Sequence, residues 1–146
     1  MRADLVVMTG NVAQVFVTDD SWNATLAAVH ASLVPGGHFV YETRQLGDRA
    51  WERWANSSAP AVRYVDGVGD VVRSTVVDHV DLPFVTFRHV YDFPIGERVV
   101  STSTLRFRND QEYRAALQRA GFSIDDVREA PDRPGRENVY VTSTPG

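Results

Sequence analysis

The sequence predicts an α/β fold: one βαβ unit of a parallel sheet, an inserted antiparallel β-meander, then a return to the sheet. Three observations predict it. Leu5-Val6-Val7-Met8-Thr9 is a short unbroken apolar run, as in a strand buried on both faces, and a helical pattern links it to a second extended segment, His38 to Thr43. From Val62 to Arg108 the apolar period switches to two. After Asn109 a helical period returns and two more extended segments follow.

Each element has a local reason. Asp19 or Asp20 can cap the first helix, and Trp22, Leu26, Val29 and Leu33 recur at spacings of four, three and four to give one stripe facing a sheet. Pro35 cannot continue that helix, and Gly36 suits a left-handed cap. A right-handed crossover then makes the two strands parallel. Ala50 to Ala55 reads as a short helix, ended by the polar loop Asn56-Ser57-Ser58-Ala59-Pro60.

In the period-two region Val71, Val77, Val85, Phe87, Tyr91, Phe93, Val99, Leu105 and Phe107 alternate with polar residues. Turns at Leu82-Pro83 and Phe93-Pro94-Ile95-Gly96 divide it into strands over 70–81, 84–93 and 98–108, with a shorter one near 62–66. One face of this meander should be buried and the other wet. Asn109 with Glu112 forms a capping box for a helix whose inner stripe is Tyr113, Ala116, Leu117 and Ala120, ended by Gly121. Phe122 to Arg128 and Asn138 to Thr144 are the last strands. The expected organisation is a single partial domain: a βαβ unit over 1–46, a helix plus β insert over 47–108, and a closing helix and strands over 109–146.

Composition narrows the function. The net charge is −4, and all of the basic residues are Arg, with no basic run, so no nucleic-acid stripe is expected. No apolar run approaches the roughly 20 residues that cross a bilayer, and Met1-Arg2-Ala3-Asp4 opens no signal peptide. With no Cys there are no disulfides, thiolate metal sites or Cys nucleophiles. The expectation is a cytoplasmic protein with no membrane role.

Gly10, Asn11 and Val12 follow the first strand, and ligands of open α/β sheets bind beyond such carboxyl ends. Glycine allows close approach, and Asn both donates and accepts. Glu42, Thr43 and Arg44 end the next strand at the same side, either as substrate contacts or as a solvated loop. Asp78, His79, Asp81 and His89 have the residue types of a carboxylate–histidine metal site. A solvated strand face with one core histidine explains them better, so no metal is expected. Arg88 and His89 could instead supply an anion contact and a general base to a substrate. Trp51 and Trp54 read as core anchors or a pocket wall, and Arg133 to Arg136 as a solvated turn or an anion-binding loop.

Several stretches resemble the C-terminal half of a class I S-adenosylmethionine-dependent methyltransferase. Asp4 to Phe16 looks like the family's fourth strand and the loop after it. Leu33-Val34-Pro35-Gly36-Gly37-His38-Phe39-Val40 is similar to its L-x-P-G-G-x-hydrophobic turn into the fifth strand. Ala120-Gly121-Phe122 resembles the A-G-F turn into the sixth, and Asn138 to Thr144 would be the seventh, an antiparallel edge strand. The resemblance implies a partial Rossmann-like methyltransferase fold, strands four to seven, with the meander as a substrate-side insert.

It also implies S-adenosylmethionine as cofactor and a small molecule as acceptor. The cofactor's methionine end would lie beside Gly10, Asn11, Val12, Gln14 and Phe16. Glu42, Arg44, Arg88 and His89 are the candidate substrate contacts. The family's glycine-rich loop after its first strand, and the acid that holds the ribose, have no counterpart here. Gly67-Val68-Gly69 lies in a hairpin turn instead. Either the chain belongs to a longer methyltransferase, or it completes its sheet by pairing with itself or a partner chain through the open edge. Alone it should bind cofactor weakly or not at all. The alternative is a non-catalytic interaction or small-molecule-binding module. Because the sulfonium already activates the methyl group, the protein chiefly aligns the acceptor, and no catalytic residue is legible.

Overall fold

The computed structural model describes residues 2–57 and 59–146 of the 146-residue chain; Met1 and Ser58, the latter in the expected polar loop 56–60, lie outside the described residues. The chain forms two compact units, Met1–Asp48 with Arg106–Gly146, and Arg49–Leu105.

The first unit is a four-stranded sheet with two helices. Its strands are β1 (Ala3–Met8), β2 (Leu33–Arg44), β7 (Ser123–Glu129) and β8 (Glu137–Ser143), in the order β1-β2-β8-β7. β1 runs parallel to β2, with Val6 beside Phe39 and Met8 beside Tyr41. β8 is antiparallel to both β2 and β7. The expected edge strand is therefore an interior strand, and β7 is the edge. Tyr140 and Thr142 of β8 are fully buried, which an edge position does not demand.

Helix α1 (Asp19–Ser32) joins the parallel strands. Its cap is Thr18, not Asp19 or Asp20. The Thr18 side chain accepts from the Ser21 amide, and the two aspartates occupy the first turn, where the helix dipole favours negative charge. The helix ends at Leu33 in extended geometry, so Gly36 is not its cap; β2 begins immediately and is irregular where it meets β1. The two glycines there have separate reasons. Gly36 has φ +73°, and a Cβ on Gly37 would meet the Val34 carbonyl oxygen at 2.9 Å and the Ala3 carbonyl oxygen at 3.3 Å.

Helix α3 (Asp110–Arg119) carries the expected capping box, Asn109 and Glu112 each accepting the other's backbone N–H. At its far end Gly121 has φ +89°. The Phe122 and Gly121 amides bond the Leu117 and Gln118 carbonyls, which is a Schellman motif.

Period two places Phe39, Tyr41 and Thr43 on one face of β2, opposite Tyr140 and Thr142 of β8. Trp22 and Leu26 of α1, Tyr113 and Leu117 of α3, and Phe122 cover that face, all nearly inaccessible to water. Tyr41 stacks on Tyr140 with centroids 4.9 Å apart, and Trp22 meets Tyr41 and Tyr113 edge-on at 5.6 and 5.9 Å. On β1 the alternate residues Leu5 and Val7 are 56% and 58% exposed.

The second unit holds α2 (Ala50–Asn56) and an antiparallel sheet of β3 (Ala61–Val65), β4 (Gly69–Asp81), β5 (Phe84–Asp92) and β6 (Arg98–Arg106), paired in chain order. Gly67-Val68-Gly69 forms the β3–β4 turn. The expected apolar face is only partly covered. Val85 and Leu105 are buried, Val71, Val77, Phe87, Tyr91 and Phe93 are half-buried, and Val99 is exposed. Phe107 is buried too, but it lies in the first unit. Among the described residues no helix is long and apolar enough to cross a membrane.

Candidate functional site

Parallel pairing brings the ends of β1 and β2 to one side of the sheet, and antiparallel β8 begins there, with Glu137 in register with Arg44. The chain leaves β1 through two successive left-handed residues, Gly10 at φ +71° and Asn11 at φ +60°, before a 3-10 turn over Val12–Val15. Asn tolerates that conformation better than most side chains. A Cβ on Gly10 would meet nothing within 4 Å, so its requirement is conformational rather than steric.

Three links tie this loop to the neighbouring strands. The Gly10 amide donates to the Glu42 carboxylate at 2.6 Å. Asn11 Nδ2 donates to Glu137 Oε1 at 3.0 Å, and Arg133 Nη1 donates to the same oxygen at 2.8 Å. Arg44 Nη1 donates to Gln14 Oε1 at 2.9 Å. Because a carboxylate only accepts and a guanidinium only donates, these partners fix which way both amides point. Each amide then has one buried atom with no partner, the acceptor Asn11 Oδ1 and the donor Gln14 Nε2. Most buried polar atoms are paired, so two orphans in one short loop call for an explanation.

Gly10, Asn11, Gln14, Glu42 and Arg44 thus converge in one hydrogen-bonded cluster at the carboxyl ends of β1 and β2. Val12 is 40% exposed at the same loop, and Phe16 turns inward against Trp22 with centroids 5.7 Å apart. Glu137 belongs to the cluster but carried no signal in the sequence, since it lies 126 residues from the amide it holds. Arg133, read as part of a turn, is its second partner.

Beside this cluster Thr43 and Tyr113 share a hydrogen bond of 2.9 Å, and Tyr140 donates to Asp110 at 2.7 Å. Burial pushes the Tyr113 hydroxyl up, against the opposing effects of the Thr43 bond and the Arg108 charge. Burial also tends to raise the Asp110 carboxyl, but hydrogen bonds from Arg114 and Tyr140 outweigh it and hold that group below the usual range.

Arg88 and His89 belong to the second unit, and as adjacent strand residues they point to opposite faces. Arg88 grips Asp78 through two bonds of 2.7 Å, so the candidate anion contact is engaged with a neighbouring carboxylate. His89 sits between Phe87 and Tyr91, its Nδ1 3.0 Å from the Thr75 hydroxyl. Trp54 packs on Phe87, and Trp51 is buried.

Burial, and then the Arg73 charge, pull the His89 ring below its ordinary value. The unfolded chain therefore takes up this proton first, near pH 6.5. Stability tied to neutral His89 is present above that value and is lost as pH falls through the lower folded value. The urea midpoint is expected to drop between about pH 7 and pH 5, and His89→Gln should flatten that drop. An equally steep drop in the variant would refute the assignment.

No protein-family model and no curated protein matches the sequence. Solved structures do match. An amino pentose methyltransferase from Micromonospora echinaspora, involved in calicheamicin biosynthesis and solved with S-adenosylmethionine bound, aligns with TM-score 0.72 at 21% identity, over 97% of this chain and 58% of that one. A sugar N-methyltransferase from Streptoalloteichus aligns with TM-score 0.72 at 17% identity, over 99% of this chain and 57% of that one. An S-adenosylmethionine-dependent methyltransferase from Clostridium acetobutylicum gives 0.70 at 13% identity, over 99% and 59%. The chain spans less than three fifths of the length of these structures. Over the part it spans, its fold is that of the S-adenosylmethionine-dependent methyltransferases.

Proposed function

We propose that this chain contributes to methyl transfer from S-adenosylmethionine to a small-molecule acceptor, with the loop after β1 holding the cofactor's amino-acid end. The observation that carries the reading is the pair of orphaned atoms in that loop, Asn11 Oδ1 and Gln14 Nε2. An acceptor and a donor left open in one loop match a group that bears both an ammonium and a carboxylate. When bound, that cofactor supplies an activated methyl group.

The chain's own residues do the positioning. Glu42 and Glu137 anchor the loop through Gly10 and Asn11, and Arg44 sets the Gln14 amide. This fixes the loop before a ligand arrives and lowers the ordering cost of binding. The described residues include no glycine-rich turn between a parallel strand and a helix, so the chain by itself is expected to hold only one end of the cofactor, and weakly.

The test is a titration of the ¹⁵N-labelled chain with S-adenosylmethionine. Saturable shifts are expected at the Gly10 and Asn11 amides, absent from Asn11→Ala. Silence at both amides refutes the reading and leaves the alternative, a non-catalytic interaction or small-molecule-binding module. The exposed Leu5 and Val7 on the outermost strand, β1, are the observation that favours that alternative.

A further inference from the structure

Arg108, between β6 and α3, is 2% exposed, yet its Nε and Nη1 have no hydrogen-bond partner. Nη2 donates to the Thr18 carbonyl at 3.1 Å, and the guanidinium also interacts with the Tyr113 hydroxyl. A buried guanidinium keeps its charge, and an uncompensated buried charge is costly. The nearest carboxylate, Asp19, lies 3.6 Å from Nη2, is 67% exposed, and stands closer to Arg106, at 3.0 Å. The guanidinium also sits over the Trp22 ring, 5.9 Å from its centroid. None of these contacts uses the two orphaned nitrogens.

Arg108 lines two cavities. One, of about 250 Å³, also carries Asp19 and Glu112, whose charge repels an anion. The other, of about 390 Å³, lies at the carboxyl end of β2 and is lined by Thr43, Arg44, Tyr113 and Tyr140 as well. Its one carboxylate, Asp110, is occupied by Arg114 and Tyr140, each at 2.7 Å. Two guanidinium groups border one space of ligand size, with the one hydroxyl proton that the Thr43–Tyr113 pair leaves over, while the Tyr140 proton is held by Asp110; together they make an anion-binding wall.

We propose that this second cavity binds an anionic group, a carboxylate or a phosphate, with Arg108 as its principal contact, and that the methyl acceptor carries that group. The anion satisfies the donors that the fold leaves open. Both nitrogens are closed off from water in this conformation, so the anion turns a wall side chain aside to reach them. The identity of the ligand as methyl acceptor rests on the methyl-transfer reading; the anion site does not.

The test uses the full ¹⁵N-labelled chain at constant ionic strength, titrated separately with inorganic phosphate and with acetate. A saturable shift of the Arg108 Nε–H signal is expected with at least one of them. Which anion saturates tells the two group types apart. Arg108→Met should abolish saturation at the Tyr113 amide. Arg108→Lys, which keeps the charge and whose amide spectrum without anion checks that it is folded, should weaken it at least about tenfold by losing the planar fork. Shifts that stay linear, with equal slopes in the wild type and Arg108→Lys, overturn the proposal. Failure here, with S-adenosylmethionine still shifting Gly10 and Asn11, removes the anion site alone. A silent cofactor with a saturating anion removes the methyl-transfer reading alone.

Discussion

Replacing Trp22 by alanine is expected to cost about 3–5 kcal/mol of unfolding free energy, read from urea denaturation followed by circular dichroism. The side chain is 1% exposed and lies against Phe16, Tyr41 and Tyr113, with Arg108 over its ring. Truncation opens a cavity that the strands cannot fill, because β2 and β8 are fixed by seven paired positions. Domains of this size are stable by only about 5–15 kcal/mol, so the variant stands near its folding limit at room temperature. Trp22→Phe is the informative control. The indole Nε1 is buried with no partner, so phenylalanine discards an unsatisfied donor along with some volume. It should cost clearly less than alanine. A loss below about 1 kcal/mol for Trp22→Ala would mean that the site collapses freely and the aromatic cluster is not a packed core.

Glu137→Ala is expected to destabilise the chain by about 1–3 kcal/mol, the cost of leaving a buried polar group unpaired. The carboxylate is 4% exposed and holds Asn11 Nδ2. Without it the Asn11 amide, already lacking a partner at Oδ1, is unsatisfied at both ends. Amide exchange at Asn11 and Gln14 should rise even where global stability allows comparison. Arg133→Ala should do much less. The Arg133 side chain is 52% exposed, and an ion pair with one solvated partner contributes little. Equal effects of the two substitutions would contradict a role for Glu137 as the loop's anchor.

Local chemistry made much of this fold legible. The capping box at Asn109 and Glu112, the stop at Gly121, the stripe from Trp22 to Leu33 and the turns of the meander each depend on neighbours within a few residues. Each sits within a residue or two of its expected place. Thr18 was missed because three capping residues stand in a row, Thr18, Asp19 and Asp20, and composition does not choose among them.

Strand order was less accessible. The alternation of Asn138 to Thr144 is the same whether a strand has one neighbour or two, and only the pairing of β8 with both β2 and β7 decides it. The candidate site divides along the same line. Gly10 and Asn11 announced themselves as a strand-end turn. Glu137 did not, and Arg108 looked like one more polar position at the end of a strand. Their burial comes from long-range packing, which no local spacing records.

The interior place of β8 has a consequence for the order of events during synthesis. Among the described elements it comes last in chain order, yet it fills the gap between β2 and β7. Until it emerges from the ribosome, the inner edge of β2 has no strand beside it, and Phe39 and Tyr41 lack the Tyr140 and Thr142 that close their face. The nascent first unit can form its β1–α1–β2 crossover early, but its sheet closes in one late, long-range step. The loop that carries Asn11 acquires its Glu137 anchor in that same step, so its hydrogen bonds are complete only when the sheet is.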